Sequence, residues 1–578
     1  IEKAQQMGLI VPSSEGPERP FTFRHELVRQ TVLAAISAPR QQQMHASVAD
    51  AIERLYPGAA NERAGDIADH LLKAGSFADD RKLVSWLTLA GKGALQAAAF
   101  EEARRVFRSA LSHKGAIEAG ERADLWTSLA MAERGLDQWD AALAHLREVV
   151  EVYINLDDRE MIGRSFIELT DAFIWAGRFR EAVETARRGL AYLGADVSVD
   201  RARLLAALGD ACAPAEGYEP ADEALREAFN IASQLSDPKL EARLRGVRLT
   251  VNFHFLRLRE VAATGLLSEQ SGGSEASPWR RGRQLLILHQ VLLYLGRLEE
   301  ALRIADEIEP LAGKIGQTLS IAVCASARAW AEFGKTADLG KLETGLRQLL
   351  KSDLKAQPFL EAFSQVQLSL VDYIRGNWTS ALLHAQASRR PEPGSATEGF
   401  GTGTLFRQMA YAGDRDGACA ILDQKRTWLP HSGQYNTRGS WFMLALVIEG
   451  LVMLGEQSQA EELYPLVGEL LDTGAVALWP IHRFTHTIAG VAAAAARQWE
   501  TAEGHFQIAL QHAESFPDRL EQAEIRRFHA MMLKDRAAAG DREKAQSLLG
   551  EALDSYARIG MPRHIELTQA LLDQLAAA

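Results

Sequence analysis

A helix-turn-helix pattern recurs along most of this chain, and a small residue marks the same point of each copy. Successive marks lie 37 to 43 residues apart, the extremes being Ala381 to Ala418 and Ala502 to Ala545. A period this regular means that one supersecondary unit was copied and that each copy buries its apolar face against the next. We therefore expect a solenoid. The marks are Ala103, Ala142, Ala182, Ala221, Ala262, Ala301, Leu342, Ala381, Ala418, Ala460, Ala502 and Ala545.

A large residue recurs three positions before the mark, and a glycine often precedes it in a turn. Phe179, Leu298 and Trp378 each follow such a glycine turn. Glycine commonly ends one helix just before the next begins. Each repeat is therefore predicted to be a helix hairpin with helices of roughly 14–18 residues, about 21–27 Å long at 1.5 Å per residue. The expected fold class is all-α, with about twelve helix hairpins.

Several repeats resemble the tetratricopeptide repeat, over about residues 82–560. That family has a bulky residue, a Leu, a Gly or Ala, an aromatic residue and then small residues on the second helix. The period of this chain, near 40, exceeds the family's 34. Longer helices or longer loops must absorb the difference. The matching residues are Trp126, Leu129, Ala130, Ala142 and Leu146 in one repeat, and Leu205, Leu208, Gly209, Ala221 and Ala228 in another.

Composition shifts divide the chain further. A Pro, Gly and Ser-rich stretch at 388–404 predicts a loop or hinge between two halves of the array, 82–387 and 405–578. Residues 562–575 form one more amphipathic pattern, which we expect to cap the open end of the stack.

Residues 1–75 depart from the repeat. Stretches 8–11 and 21–23 predict two short strands joined by a turn and followed by a helix, an order that suits a winged-helix wing, and further helices lead into the array. The phrase from Phe21 through His25 to Val28 resembles the segment that joins the ATPase core to helical repeats in large bacterial signal-transduction ATPases of the STAND type, related to AAA proteins. The resemblance implies an upstream nucleotide-binding core in cis and an effector domain. Residues 560–564 near the end resemble members linked to class III adenylate or guanylate cyclases more than those ending in a DNA-binding domain.

Charge and composition exclude several partner classes. The formal net charge is −12 and there is no Lys/Arg run of five, so nucleic acid is not an expected partner. The longest apolar stretch, 441–454, is too short for a membrane helix and contains Glu449. The cysteines Cys212, Cys324 and Cys419 are far apart, which fits free thiols in a reducing, cytoplasmic compartment. We expect no membrane association.

Catalytic motifs are missing from the sequence. Gly91-Lys92 and Gly313-Lys314 lack the glycine spacing of a phosphate-binding loop, and neither HExxH nor GxSxG occurs. We expect no cofactor and no catalytic residue. His482 and His486 have metal-ligand spacing on a predicted helix, but no acidic third ligand accompanies them, so no metal is expected.

The candidate binding residues are one histidine and four tryptophans. In the ATPases that the N-terminal phrase resembles, a winged-helix histidine can contact the nucleotide phosphates, which makes His25 a weak candidate for a cofactor-binding residue; the alternative is a histidine that packs the wing. Trp279, Trp428, Trp441 and Trp479 lie off the strongest repeat positions and near predicted loops. They are candidates for a concave or edge surface that binds a protein, a peptide or a small effector.

Three functional hypotheses follow. The first is a non-catalytic sensor and scaffold arm of a multidomain signalling ATPase, which couples effector binding to a nucleotide-binding core. The second is a part of a nucleotide cyclase whose catalytic domain, converting ATP to cyclic AMP, lies upstream. The third is a stand-alone assembly scaffold.

Overall fold

The computed structural model describes residues 1–12, 21–56, 62–263, 278–349, 358–389 and 399–577. Contacts group the chain into two compact units, residues 1–136 and 137–578. Across the described ranges, no helix is both long enough and apolar enough to cross a membrane.

The first unit contains one strand pair and seven α-helices among its described residues. The strands pair antiparallel, with Ile10 opposite Phe23. A capping box at Glu118 and Glu121 starts the last of the helices, where each side chain accepts a bond from the other residue's backbone. The elements are α1 (Glu2–Gln6), β1 (Ile10–Pro12), β2 (Phe21–Phe23), α2 (Glu26–Ala34), α3 (Ala38–Leu55), α4 (Ala64–Ala74), α5 (Asp80–Gln96), α6 (Phe100–Ser112) and α7 (Ala119–Gly135).

The second unit contains the remaining helices and a second short strand pair. Its described elements are α8 (Trp139–Asn155), α9 (Arg159–Trp175), α10 (Phe179–Leu193), α11 (Val199–Ala215), α12 (Tyr218–Leu235), α13 (Pro238–His254), α14 (Leu258–Ala263), α15 (Pro278–Tyr294), α16 (Leu298–Ile315), α17 (Thr318–Thr336), α18 (Leu339–Leu349), α19 (Pro358–Arg375), α20 (Trp378–Ala387), α21 (Phe400–Tyr411), α22 (Arg415–Lys425), α23 (Arg438–Met453), α24 (Gln457–Asp472), β3 (Ala477–Leu478), β4 (Arg483–Phe484), α25 (Thr485–Ala495), α26 (Trp499–Ser515), α27 (Arg519–Arg536), α28 (Asp541–Ile559) and α29 (Pro562–Ala577).

From α5 to α28 the helices pair in sequence order, and α29 follows the last pair. Within each unit the two helices of a pair pack against each other; the pair α7 and α8 spans the boundary between the units. The all-α, tetratricopeptide-like solenoid of helix hairpins predicted from the repeat is confirmed.

The repeat mark occupies the core at eleven of its twelve positions. Ten of these eleven buried marks are alanines and the eleventh is Leu342, and each is at most 1% exposed. In all but the last pair, the buried residue is the fourth of the second helix. Ala262 was predicted to be the mark of its repeat, and this is wrong: Ala262 is exposed, and Val261, the fourth residue of α14, is fully buried. The core there accepts a larger residue because packing, not alanine itself, defines the position.

Each of the twelve hairpin turns contains a residue with positive φ, one or two positions before the second helix. Seven of these residues are glycines, as the turn pattern predicts, because only glycine adopts this conformation without strain. The other five are Ala98, Asp137, Leu256, Ala337 and Arg497, with φ between 50° and 60°.

The hinge expected at 388–404 falls largely outside the described residues. The helix α20 ends at Ala387, residues 390–398 are not described, and α21 begins at Phe400. Residues 400–404 of the expected loop are therefore helical. The buried faces of α21 explain this, because Gly403 packs against the backbone of Met443 on α23.

Helices far apart in sequence also meet inside the second unit. The α17 helix approaches the start of α27 so closely that a Cβ atom on Gly334 would lie 2.3 Å from the Pro517 carbonyl oxygen. The Leu258 and Val476 amides donate to the Thr473 and Tyr294 carbonyls at 2.9 and 2.8 Å. These contacts leave the facing sides of the helices buried rather than open to solvent.

Candidate functional site

The histidine of the N-terminal segment lies on the surface. His25 directly precedes α2, has extended backbone (φ −135°) and is exposed. Its side chain makes no capping hydrogen bond to the helix. A role for His25 toward a nucleotide stays a prediction.

The four candidate tryptophans differ in burial. Trp441 and Trp479 are each 4% exposed and belong to the core. Trp279 is half-buried, with the rings of Trp139 and Trp175 edge-on at 6.0 and 5.3 Å. Of the four, Trp279 and Trp428 keep partial exposure, and their role as partner contacts stays a prediction.

Trp428 carries a cation over its ring. The Lys425 ammonium lies 4.0 Å from the centre of the Trp428 ring, a cation–π contact at the end of α22.

The prediction that one helix holds both His482 and His486 is wrong, because the helix α25 begins only at Thr485. His482 lies in the turn between β3 and β4 with φ +50°, whereas His486 lies in the first turn of α25. Pro480 prevents a continuous helix through this stretch, a signal present in the sequence. The two imidazoles face different neighbours. The His482 ring is tilted against that of Trp330, with the ring centres 3.8 Å apart, and His486 Nδ1 lies 2.9 Å from His505 Nδ1. Among the described residues, no group of three or more His, Cys, Asp or Glu could hold a metal ion.

A cluster of buried charges lies in the second unit, and the sequence did not predict it. We call Glu449, Arg483, Glu521, Glu524 and Arg527 the ionic cluster; each is at most 2% exposed. Arg483 donates to three carboxylates, with bonds of 2.8 and 2.9 Å to Glu449, 2.8 Å to Glu521 and 3.0 Å to Glu524. Arg527 donates to Glu524 at 2.7 Å. The only signal was Glu449 inside an otherwise apolar stretch.

Hydroxyl groups from neighbouring helices complete the ionic cluster. Tyr411 donates to Glu449 at 2.9 Å, and Tyr556 donates to Glu524 at 2.7 Å. Thr487 and the Phe484 amide donate to Glu521 at 2.6 and 2.9 Å. His564 Nε2 lies 2.8 Å from the Tyr373 hydroxyl beside the cluster. The carboxylates therefore have their hydrogen bonds within the protein, as buried charges require.

The environment moves the pKa values of these carboxyl groups in opposite directions. Burial raises the pKa of Glu521 to about 7, against which Arg483 acts only in part. Burial also disfavours the charge of Glu524, but attraction to Arg527 and Arg483 outweighs it and holds the pKa of Glu524 well below its usual value.

The ionic cluster joins α23, β4 and α27, and the tyrosines extend it to α21 and α28. We interpret it as a structural feature, because it is closed to solvent and its carboxylates are already paired.

An open cavity with a volume of about 530 Å³ lies on the surface of the second unit. We call it the basic groove. The end of α17, the loop at Pro517, α27 and α28 form its walls. Its charged lining residues are Lys335, Arg519, Arg526 and Arg558, with Glu551 and Asp554.

The cations of the basic groove are only partly neutralised. Arg526 pairs with Glu551 at 2.8 Å, and Arg558 Nε donates to the Asp554 backbone carbonyl at 3.1 Å. Within the described part of the chain, Lys335, Arg519 and Arg558 have no carboxylate within ion-pair distance. Four cations and two carboxylates leave a positive surface on a chain whose net charge is −12.

Two solved structures are similar to this chain over most of its length. A chain in the crystal structure of the APC/C hetero-tetramer Cut9–Hcn1 is 14% identical, with a TM-score of 0.41, and the match covers 85% of this chain and 96% of that one. The crystal structure of yeast Tom70 is 12% identical, with a TM-score of 0.27 and coverage of 86% and 97%. No protein-family model and no curated protein matches the sequence.

Proposed function

We propose that this chain is a non-catalytic helical-repeat arm that binds a partner protein, and that an acidic segment of the partner binds in the basic groove. The observation that carries this proposal is the groove itself, a cavity of about 530 Å³ lined by four cations and two carboxylates. Opposite charge attracts such a segment and orients it during encounter.

The groove is also a firm surface. Two of its walls, α17 and the loop at Pro517, are in direct contact at Gly334, where no larger residue fits without movement. Arg519 begins α27, so the positive end of that helix adds to the field at the groove. A bound segment therefore meets a backbone framework that is already in place, which limits the entropy lost on binding.

A direct test uses a fluorescent, acetylated hexaglutamate peptide and fluorescence polarisation. We expect binding that weakens with salt, and a loss of about tenfold or more in affinity when Arg519→Glu and Arg558→Glu are combined. Arg303→Glu is the matched control, because Arg303 is 73% exposed on α16 and has only a 4.0 Å contact with Glu300. A hexalysine peptide serves as the control ligand. Equal affinity of the double variant and the unchanged protein would overturn the proposal.

We also propose that the arm belongs to a multidomain signalling ATPase. The paired strands β1 and β2, followed by α2, support this proposal because they provide the strand–helix order that the N-terminal phrase implies. The groove is formed by helices nearly 200 residues apart in sequence, so partner binding there would favour one arrangement of the repeats over another. That preference would shift the attached nucleotide-binding core toward one of two states.

The gene sequence upstream of Ile1 tests this context. A phosphate-binding loop there would support the signalling ATPase, and cyclase metal-binding aspartates would support the nucleotide-cyclase alternative. A start codon immediately before Ile1 would instead favour the stand-alone scaffold, leaving the groove proposal intact.

A further inference from the structure

A second cavity lies inside the second unit, beside a buried arginine. It has a volume of about 30 Å³. Its walls are mostly aromatic, and its polar lining groups are Gln290, Tyr294, Ser388 and Arg438. The aromatic lining residues are Phe363, Phe400, Phe442 and Trp479, together with Tyr294.

Among the described residues, the guanidinium of Arg438 has no anionic partner. Arg438 is 5% exposed, and its Nε and Nη1 atoms make no hydrogen bond. Its close contacts are the Phe253 ring, 4.0 Å from the guanidinium carbon, and the Tyr294 hydroxyl. No carboxylate of the described residues pairs with it. This contrasts with Arg483 and Arg527, which are buried to the same degree and are bonded to carboxylates.

A buried cation without a counter-charge is costly, because burial removes its hydration. The Phe253 ring and the Tyr294 hydroxyl offset part of this cost, but neither supplies a counter-charge to Arg438. Burial holds the pKa of His254 well below its usual value, and the positive charge of the nearby Arg438 lowers it further, so His254 is neutral at physiological pH. Arg438 is also the first residue of α23, where the helix dipole adds positive potential.

We propose that this cavity binds a small monovalent anion of chloride size, which pairs with Arg438. The cavity volume limits the ligand, since about 30 Å³ is close to the volume of one water molecule in the liquid. An anion there would accept a hydrogen bond from the unpaired Nη1 of Arg438. The proposal is independent of the basic groove, which lies on α17, α27 and α28.

The first experiment measures thermal unfolding at constant ionic strength of about 0.15 M, with chloride replaced stepwise by the larger anion methanesulfonate. We expect chloride to raise the unfolding midpoint by about 2 °C or more along a saturable curve. Arg438→Met should abolish the dependence on chloride, because it keeps much of the side-chain volume and removes the charge. Arg303→Met, on the exposed surface of α16, should keep it. Identical midpoints in the two anions, or a chloride effect that survives Arg438→Met, would overturn the proposal.

A second experiment does not depend on a variant. Crystals of the unchanged protein soaked in sodium bromide are expected to show an anomalous bromide peak within hydrogen-bond distance of Arg438 Nη1. Ordinary water density without an anomalous signal at that position would contradict the proposal.

Discussion

At the scale of single residues, the hairpin turns carry an avoidable strain. Six of the twelve turns described place a non-glycine residue in the left-handed region, where the Cβ atom approaches its own backbone. The sixth is the turn between α27 and α28, which holds Ala537 as well as Gly540. Ala98, with φ +56°, is the simplest case, since its side chain is a single methyl group. The preceding residue, Ala97, has an ordinary φ of −83°. The same substitution to glycine at these two neighbouring alanines therefore separates the effect of the positive φ from the effect of glycine itself.

We predict that Ala98→Gly raises the free energy of unfolding by about 0.5–1 kcal/mol, because relief of the left-handed strain exceeds the entropy that glycine adds to the unfolded chain. The control Ala97→Gly should lower it, since only the entropy cost applies. Urea denaturation followed by circular dichroism measures both. Destabilisation by Ala98→Gly of the same size as that by Ala97→Gly would contradict the explanation.

At the scale of the helix pair, a glycine on one helix receives a phenylalanine ring from its partner. A Cβ atom on Gly91 would lie 2.5 Å from the Phe107 ring, and one on Gly490 would lie 2.6 Å from the Phe506 ring. In both pairs the phenylalanine lies four positions after the repeat mark, Ala103 or Ala502. Gly450 meets Phe406 in the same way, at 2.6 Å, although these residues belong to different hairpins. The small residues of the repeat therefore set how closely two helix backbones approach.

We predict that Gly490→Ala lowers the free energy of unfolding by about 1–3 kcal/mol, because the new methyl group overlaps the Phe506 ring. Gly504→Ala is the matched control: it also lies within a helix, has no neighbour within 4 Å of the added Cβ atom, and should stabilise by up to about 1 kcal/mol through helix propensity. The unfolding midpoints in guanidinium chloride measure both effects.

Coupling to the ring itself is checked with a double variant. If the overlap is the cause, Gly490→Ala combined with Phe506→Leu should cost less than the sum of the two single substitutions. Additive costs would mean that Gly490 matters for another reason.

At the scale of the whole molecule, the ionic cluster ties together parts of the second unit that are far apart in sequence. Arg527 on α27 bonds to Tyr411 on α21 at 2.7 Å, across 116 residues, and Arg483 bonds to Glu449 on α23. A cluster of this kind ties stability to protonation, because its carboxyl groups titrate differently in the folded and unfolded chains.

We predict that Glu521 makes stability fall as pH rises. Its pKa is about 7 in the folded chain and near 4.5 when unfolded, so the folded chain holds a proton that the unfolded chain has lost between these values. The contribution is complete below pH 4.5 and is lost as pH rises through 7. Relative to Glu521→Gln, the unchanged protein should lose free energy of unfolding over this range in urea titrations. Parallel pH profiles of the two proteins would contradict the prediction.

A companion variant has the opposite sign. The lowered pKa of Glu524 contributes stability that is present above pH 4.5 and lost as pH falls below it. Glu524→Gln should therefore lower stability at neutral pH, and its difference from the unchanged protein should shrink under acidic conditions.

The sequence by itself determined the repeating element. The spacing of the marks, the large residue three positions earlier and the glycine turns predicted helix hairpins, because helix packing and turn geometry depend on residues close together in the chain. It failed locally at Ala262, where Val261 is buried instead, and at His482, where Pro480 precedes a strand. In both places the prediction followed the general pattern, whereas a local residue, Val261 or Pro480, decided the structure.

Only the tertiary structure decided which surfaces stay open and which charges meet. Trp441 and Trp479 were expected at a binding surface, but both are buried in the core, where the Phe363 ring of α19 lies 5.6 Å from that of Trp479. Arg483 and Glu521 resemble ordinary surface charges in the sequence, yet they lie in the ionic cluster because α27 returns to β4. The basic groove likewise unites Lys335 with Arg519 across about half of the second unit's array. The repeat period describes contacts between neighbours in sequence, and it contains no information about which distant repeats come into contact.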